Sequence, residues 1–198
     1  TIKENIKKYS SELKYVTHIP SKEVEILIMY LLDKNVIWLH LNYGQPFEKT
    51  AELERLIKKR ASHYPLEYII KKASFYGEQF LTHENVLIPR PETELLVDCA
   101  KEILEKIEKP KVIEIGTGSG IISVMLAILV KEIKITAVDI NDDALSLALE
   151  NAEKFNVAHK IDFIKSDLFT NISDDYNMCI SNPPYIANEY KLPQNVKF

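Results

Sequence analysis

KVIEIGTGSG, residues 111–120, is the stretch of sequence that decides the fold. A mostly apolar run leads straight into three glycines, and an apolar helical segment, residues 120–130, follows them. Glycine allows a tight turn and lets a ligand approach both the backbone and the positive end of the following helix. The stretch therefore predicts a strand, a ligand-approachable loop and a helix.

Strands and helices alternate around this stretch. Alternation of this kind predicts an α/β fold with a parallel sheet, helix-covered faces and right-handed crossovers. Ligands of such sheets bind beyond the carboxyl ends of the strands. The predicted elements are a helix from Glu94 to about Ile107, strand 111–115, helix 120–130, strand 134–139, helix 141–155, strand 161–165 and strand 178–181.

The first part of the chain has a different pattern. Apolar residues recur at helical spacing in three segments, the third of which starts at Thr50 as a predicted N-cap. Short aromatic and β-branched pieces around turn residues then predict a hairpin-like connector. We therefore divide the chain into a small all-helical domain at 1–72, a connector at 73–93 and an α/β domain at 94–198.

Composition and charge narrow the classes of function. The 198 residues are 46% hydrophobic, which is too apolar for a disordered chain. The longest apolar run, 121–130, is about half of the ~20 residues that span a membrane, and the amino terminus lacks a secretory apolar region, so we expect a cytoplasmic protein. Residues 1–72 carry 13 Lys and Arg against 9 Asp and Glu, whereas residues 73–198 carry 12 against 20. With three arginines in the chain, nucleic acid is disfavoured as the main partner.

The cysteines and histidines give no metal-ligand pattern. Cys99 and Cys179 are far apart, without the spacing of a zinc site, and the five histidines show no paired spacing. We expect no metal, and we expect both cysteines to be reduced and buried.

The predicted strand 134–139 ends in a carboxylate. Asp139 follows Gly116 by 23 residues, where a carboxylate can accept both hydroxyls of a ribose. The alternative is that Asp139 caps the next helix, but Asn141 fills that position well. The glycine loop and Asp139 together predict a cofactor that contains a nucleoside.

The last predicted strand ends in Asn182-Pro183-Pro184-Tyr185. Two prolines stop a strand and stiffen its turn, but this explains neither the asparagine nor the tyrosine. The Asn182 oxygen and the Pro183 carbonyl can each accept one N–H of a planar amino group, while Tyr185 packs against the plane.

The sequence resembles class I S-adenosylmethionine-dependent methyltransferases of the NPPY type. Over nearly its whole length it is more closely similar to the release factor glutamine N5-methyltransferase family. The string IPRPETE combined with SNPPYI is highly specific, whereas NPPY alone does not separate this family from adenine methyltransferases. The motifs that carry the resemblance are PLEYI at 65–69, FYG at 75–77, LIPRPETE at 87–94, EIGTGSG at 114–120, AVD at 137–139 and SNPPYI at 181–186.

The resemblance implies a class I methyltransferase fold, with a Rossmann-like parallel sheet, that binds S-adenosyl-L-methionine. Asn182, Pro183 and Tyr185 would be catalytic, and with Pro184 they would hold the substrate amide. Arg90, with Pro91 and Glu92, would lie beneath the cofactor; the alternative is that Arg90 pairs with Glu92 or Glu94 to hold the connector. The implied cofactor-binding residues are Gly116, Thr117, Gly118, Ser119, Gly120, Asp139, Asp167, Leu168, Asn182 and Arg90.

The resemblance also implies a reaction and a partner. The reaction is methylation of the side-chain nitrogen, N5, of the glutamine in the GGQ motif of class I peptide chain release factors, which the helical domain would recognise. Class I methyltransferase sheets usually have seven strands, so the resemblance implies that the C-terminal strands of this sheet are missing. Alternatives are an N6-adenine-type nucleic-acid methyltransferase, a nicotinamide dehydrogenase, in which NPPY has no task, and a non-catalytic adaptor that binds release factors.

Overall fold

The computed structural model describes residues 1–183, so the predicted site residues Pro184 and Tyr185 lie outside the described part. The chain divides into two compact units, one containing residues 1–70 and the other beginning at Lys71. Across residues 1–183, no helix combines the length and the apolar character that crossing a bilayer requires.

The first unit is a helical bundle. Thr1 and Glu4 form a capping box at the start of the first helix, and Pro20 occupies the first turn of the second. The core of the bundle includes Tyr9, Leu27 and Leu53, none of which has exposed surface. The helices are α1 (Ile2–Leu13), α2 (Pro20–Leu32), α3 (Val36–Leu41), α4 (Thr50–Ala61) and α5 (Leu66–Ile70).

The predicted N-cap of α4 is wrong. Lys49 is the N-cap residue and makes no side-chain capping bond, whereas Thr50 already belongs to the helix. The Thr50 hydroxyl donates instead to the carbonyl of Phe47, one turn back. A Ser or Thr hydroxyl that bonds to a preceding carbonyl satisfies that carbonyl and leaves the first helical N–H groups uncapped.

The second unit begins with a hairpin and continues as an α/β sandwich. Strands β1 (Lys72–Phe75) and β2 (Glu78–Leu81) pair in antiparallel fashion around Tyr76 and Gly77, both of which have positive φ. The helices are α6 (Thr93–Leu104), α7 (Ile121–Leu129) and α8 (Asp142–Lys154), and the strands are β3 (Lys111–Ile115), β4 (Lys134–Asp139), β5 (Ile161–Lys165) and β6 (Met178–Ser181).

The four later strands form one parallel sheet in the order β5-β4-β3-β6. Their bounds are those predicted from the sequence, and the α/β fold with a parallel sheet is confirmed. Residues of α6, α7 and α8 pack on one face, in a core that also contains Val112, Ile135 and Ile180. Ile113 and Val138 project from the opposite face, where Ile172 and Tyr176 of the segment after β5 pack nearby.

Both cysteines are exposed, so the prediction that they are buried is wrong. Cys99 lies next to Ala100, a buried residue of α6, and a one-residue step on a helix turns a side chain by about 100° away from the core. Cys179 alternates with Ile180 on β6 and therefore points to the face opposite the three helices.

Asn151 joins three parts of the second unit. This residue of α8 has no exposed surface. Its side-chain oxygen accepts the N–H of Leu81, and its nitrogen donates to the carbonyls of Leu81 and Ser119. One amide thereby fixes the end of the hairpin and the glycine loop to the same helix.

We expect Asn151→Ala to lower the free energy of unfolding by roughly 2–4 kcal/mol, because it leaves the buried Ser119 carbonyl and the part-buried backbone groups of Leu81 without this partner. Denaturant titration followed by circular dichroism measures the change. Glu153→Ala, an exposed position on the same helix, is the control and should change stability by less than about 0.5 kcal/mol. Equal effects of the two substitutions would contradict the joining role of Asn151.

Candidate active site

Three of the predicted site positions meet because of the strand register. Ile115 of β3 pairs with Val138 of β4 on one side and with Ser181 of β6 on the other. The residues that come next on these three strands are Gly116, Asp139 and Asn182. They therefore leave the sheet side by side at its carboxyl edge.

A cavity of about 450 Å³ opens at this edge, within the range of small-molecule sites. The sheet contributes its inner wall, and the segment between β2 and α6 contributes the outer wall. Among the residues that line the cavity are Asn85, Leu87, Ile88, Arg90, Thr93, Glu114, Gly116, Thr117, Gly118, Ser119, Asp139, Ile140, Asn141 and Asn182.

The glycine loop follows the cavity wall with its backbone. The N–H groups of Gly116 and Thr117 both donate to the carbonyl of Val138, which holds the loop against β4. Gly120 has a φ of +77°, and a Cβ there would lie 2.7 Å from the Cβ of Ala148 in α8. A side chain at position 120 would therefore force α7 and α8 apart.

The Asp139 carboxylate lines the cavity at the end of β4. Its Oδ2 accepts the N–H of Gly118 at 2.9 Å, and its Oδ1 accepts the N–H of Asn141 at 3.0 Å. Asn141 caps α8 through its side chain, which accepts the N–H of Asp143. The predicted cap is confirmed, and each Asp139 oxygen keeps an acceptor position.

Glu114 also lines the cavity, and the sequence interpretation gave it no role. It is 1% exposed, and its Oε2 accepts from the Thr117 hydroxyl at 2.8 Å and from the N–H of Ser123 at 3.1 Å. Burial raises the pKa of Glu114 to about 7, the charge of Asp139 adds to the increase, and the hydrogen bonds from Ser123 and Thr117 oppose it. A lone carboxylate inside the apolar strand KVIEI was the signal for this residue.

Asn182 reaches the cavity from β6. Its Nδ2 donates to the Thr93 hydroxyl at 3.0 Å. The Ser181 hydroxyl donates to the carbonyl of Ile115 at 2.7 Å and ties the end of β6 to β3. Pro183 follows as an exposed residue.

Of the three IPRPETE residues that the resemblance placed beneath the cofactor, one lines the cavity. Arg90 lines it, whereas Pro91 and Glu92 are exposed and lie outside the lining. In the described part of the chain no ion pair joins Arg90 to Glu92 or Glu94. Glu94 instead accepts the N–H of Tyr76 at 2.7 Å, which links α6 to the hairpin.

Asp167 and Leu168 follow β5 at the same edge of the sheet. Both are exposed, and neither lines the cavity. Their assignment to the adenine remains a prediction. No group of three or more His, Cys, Asp or Glu side chains in residues 1–183 is arranged to hold a metal ion.

Two protein-family models match the chain. The model described as "Methyltransferase small domain" matches residues 91–196, which include the glycine loop, Asp139 and Asn182. The model described as "PrmC N-terminal domain" matches residues 4–70, the helical unit.

Three curated relatives are named release factor glutamine methyltransferase. The Dictyoglomus turgidum protein is 39% identical over 169 residues, which cover 84% of this chain and 60% of that protein. The Streptococcus pneumoniae protein is 41% identical over 175 residues, covering 85% and 61%. The Buchnera aphidicola protein is 32% identical over 188 residues, covering 94% and 68%. The chain thus spans about three fifths of the length of the first two relatives.

We expect Glu114→Gln to change how stability depends on pH. The pKa of Glu114 is raised from 4.5 to about 7, so the folded protein keeps a proton that the unfolded chain releases. The stability that this proton contributes is complete below pH 4.5 and is lost as the pH rises through about 7. Between pH 4.5 and 8 the wild type should therefore lose on the order of 3 kcal/mol relative to the variant.

Denaturant titrations at a series of pH values measure this difference. Glu153→Gln is the control, because it removes one negative charge from an exposed position. Parallel stability curves for the wild type and Glu114→Gln would show that burial does not perturb this carboxyl.

Proposed function

Because the chain belongs to the family of release factor glutamine methyltransferases, we propose that it methylates N5 of the glutamine in the GGQ motif of class I peptide chain release factors. The donor would be S-adenosyl-L-methionine, and the reaction would take place in the cytoplasm, where release factors act. The observation that carries the proposal is the register that puts Asn182 beside the glycine loop and Asp139.

The described residues fit the proposed cofactor. Asp139 keeps acceptor positions for ribose hydroxyls, and the glycine loop brings its backbone to the cavity. Two acidic side chains, Glu114 and Asp139, line the same cavity, and S-adenosylmethionine carries a cationic sulfonium and an ammonium group. Glu114 is only partly ionised near neutral pH, because its pKa is raised to about 7. When bound, the cofactor supplies a methyl group on a positively charged sulfur.

The site residues would then act on a weak nucleophile. The lone pair of an amide nitrogen is delocalised into its carbonyl, so attack on a methyl group depends on placement. The Asn182 oxygen and the Pro183 carbonyl would accept the two N–H bonds of the substrate amide and support the positive charge that develops on nitrogen. Placing the amide nitrogen in line with the methyl carbon would lower the activation free energy by up to ~7–11 kcal/mol, because the two reactants no longer have to be brought together from solution.

Asp139 and the glycine loop would hold the cofactor, which would supply the methyl group to the amide nitrogen and keep the sulfur as the leaving group. One N–H proton leaves for water afterwards. Asn182 and Pro183 hold the amide throughout and do not change their own protonation.

The helical unit would recognise the release factor. Its match to the PrmC N-terminal domain supports this role, since every relative quoted above is named for a release factor substrate. A site that read the GGQ motif alone would accept many proteins, so a second contact is needed for specificity.

Transfer of labelled methyl from S-adenosylmethionine tests the proposal. The intact protein that contains this chain would be offered a release factor, the same factor with the GGQ glutamine replaced by alanine, and duplex DNA. We expect label on the first substrate alone. Label on DNA alone would identify a nucleic-acid methyltransferase, and cofactor binding without any transfer would favour an adaptor.

Asn182→Ala should separate turnover from cofactor binding. We expect kcat to fall by about 10²–10³, as on loss of one transition-state hydrogen-bonding group, while the Kd for S-adenosylmethionine stays near the wild-type value. Asp139→Asn is the matched variant, for which we expect the opposite outcome. Its Kd for S-adenosylmethionine should rise about tenfold, while kcat at a saturating concentration of the cofactor stays near the wild-type value.

Single-turnover kinetics and calorimetry provide the two measurements. Equal losses of turnover and affinity in Asn182→Ala would contradict the role assigned to this residue.

A further inference from the structure

We propose that Thr93 is a positioning residue that fixes the orientation of the Asn182 side-chain amide. This inference rests on the proposed function. It assigns a task to Thr93, a residue of the IPRPETE segment that lines the cavity and to which the resemblance gave no role.

The orientation of Asn182 matters because its amide has two unlike ends. The oxygen accepts hydrogen bonds and the NH₂ group donates them. If the NH₂ group faced a substrate amide, two donors would oppose each other and the substrate would lose one acceptor. Asn182 can hold the substrate nitrogen only when its oxygen faces the cavity.

Thr93 binds the end of the amide that must point away from the substrate. The Asn182 Nδ2 donates to the Thr93 hydroxyl oxygen at 3.0 Å. Both residues line the cavity, and Thr93 is only 5% exposed. While the Thr93 hydroxyl accepts from Nδ2, the Asn182 oxygen faces the cavity. A half-turn of the amide would require the hydroxyl to turn as well and to donate to that oxygen instead.

Thr93 is itself held firmly enough to serve as a reference point. Its N–H donates to the carbonyl of Arg90 at 3.0 Å. The next residue, Glu94, accepts the N–H of Tyr76 and so fixes the first turn of α6 to the hairpin. A functional side chain is placed accurately when the residues behind it are locked in this way.

Asn182 is anchored from the other side by the sheet. The Ser181 hydroxyl bonds to the carbonyl of Ile115, so the backbone before Asn182 is tied to β3. With the backbone fixed, the remaining freedom is rotation of the side chain. The Thr93 hydroxyl is the group that limits this rotation.

Thr93→Val and Thr93→Ser test the inference in the intact protein. Valine keeps the shape and removes the acceptor, whereas serine keeps the hydroxyl. We expect valine to lower kcat about tenfold, the worth of one ordinary hydrogen bond, with an unchanged Kd for S-adenosylmethionine. Serine should restore kcat to near the wild-type value.

A double-mutant cycle shows whether Thr93 acts through Asn182. In an Asn182→Ala background Thr93→Val should cause no further loss of kcat, because there is no amide left to orient. Multiplicative losses, or a serine variant as slow as the valine variant, would overturn the positioning role.

A spectroscopic readout separates this inference from the proposed function. The ¹⁵N-labelled side-chain amide of Asn182, assigned by its loss in Asn182→Ala, should exchange slowly with water in the wild type and in Thr93→Ser. It should exchange quickly in Thr93→Val. Equal exchange in all three proteins would overturn the contact. A slow-exchanging amide in a wild type that transfers no methyl to the release factor would overturn the proposed function and leave the contact standing.

Discussion

The parallel pairing of β3 with β4 and β6 is the constraint on which the site depends. Parallel strands in register end at one edge, so residues far apart in sequence leave the sheet at one level. Gly116, Asp139 and Asn182 meet for this reason, although 66 positions separate the first from the last. A slip of one residue in either pairing would turn every side chain of the slipped strand to the opposite face and remove the carboxylate or the amide from the cavity.

The same edge holds a buried ionisable group, since Glu114 is 1% exposed. Its burial is tolerated because the hydroxyl and N–H of Ser123 and the Thr117 hydroxyl all donate to it. The three loop glycines beside it have positive φ, a conformation that glycine adopts readily. Directly beneath lies the apolar core of three helices on one sheet face. A packed apolar core therefore supports a polar, hydrogen-bonded rim, as expected of a site that places reactants accurately.

The sequence predicts what depends on local pattern and misses what depends on distant partners. The bounds of β3 to β6 and the cap at Asn141 follow from periodicity and from a short-range bond. The tasks of Asn151 and Thr93 were missed because their partners lie 70 and 89 positions away and become visible only in three dimensions. The exposure of Cys179 was missed for a related reason, since the pattern MCIS shows alternation without showing which face is covered.

The side chains at the carboxyl edge of the sheet change from acidic to neutral from one strand to the next. The ends of β3 and β4 carry two acidic side chains, Glu114 and Asp139, which suit a cationic sulfonium compound although Glu114, with a pKa of about 7, is only partly ionised near neutral pH. The end of β6 carries the neutral amide of Asn182, which suits a neutral amide substrate. The Glu114 Oε2 accepts hydrogen bonds from Thr117 and Ser123, and each Asp139 oxygen accepts one backbone N–H while keeping an acceptor position on the cofactor side. Neither carboxyl group is required as a base, because the proton of the substrate amide leaves after the methyl group has been transferred. The main contribution of β6 to the site is then the accurate orientation of Asn182.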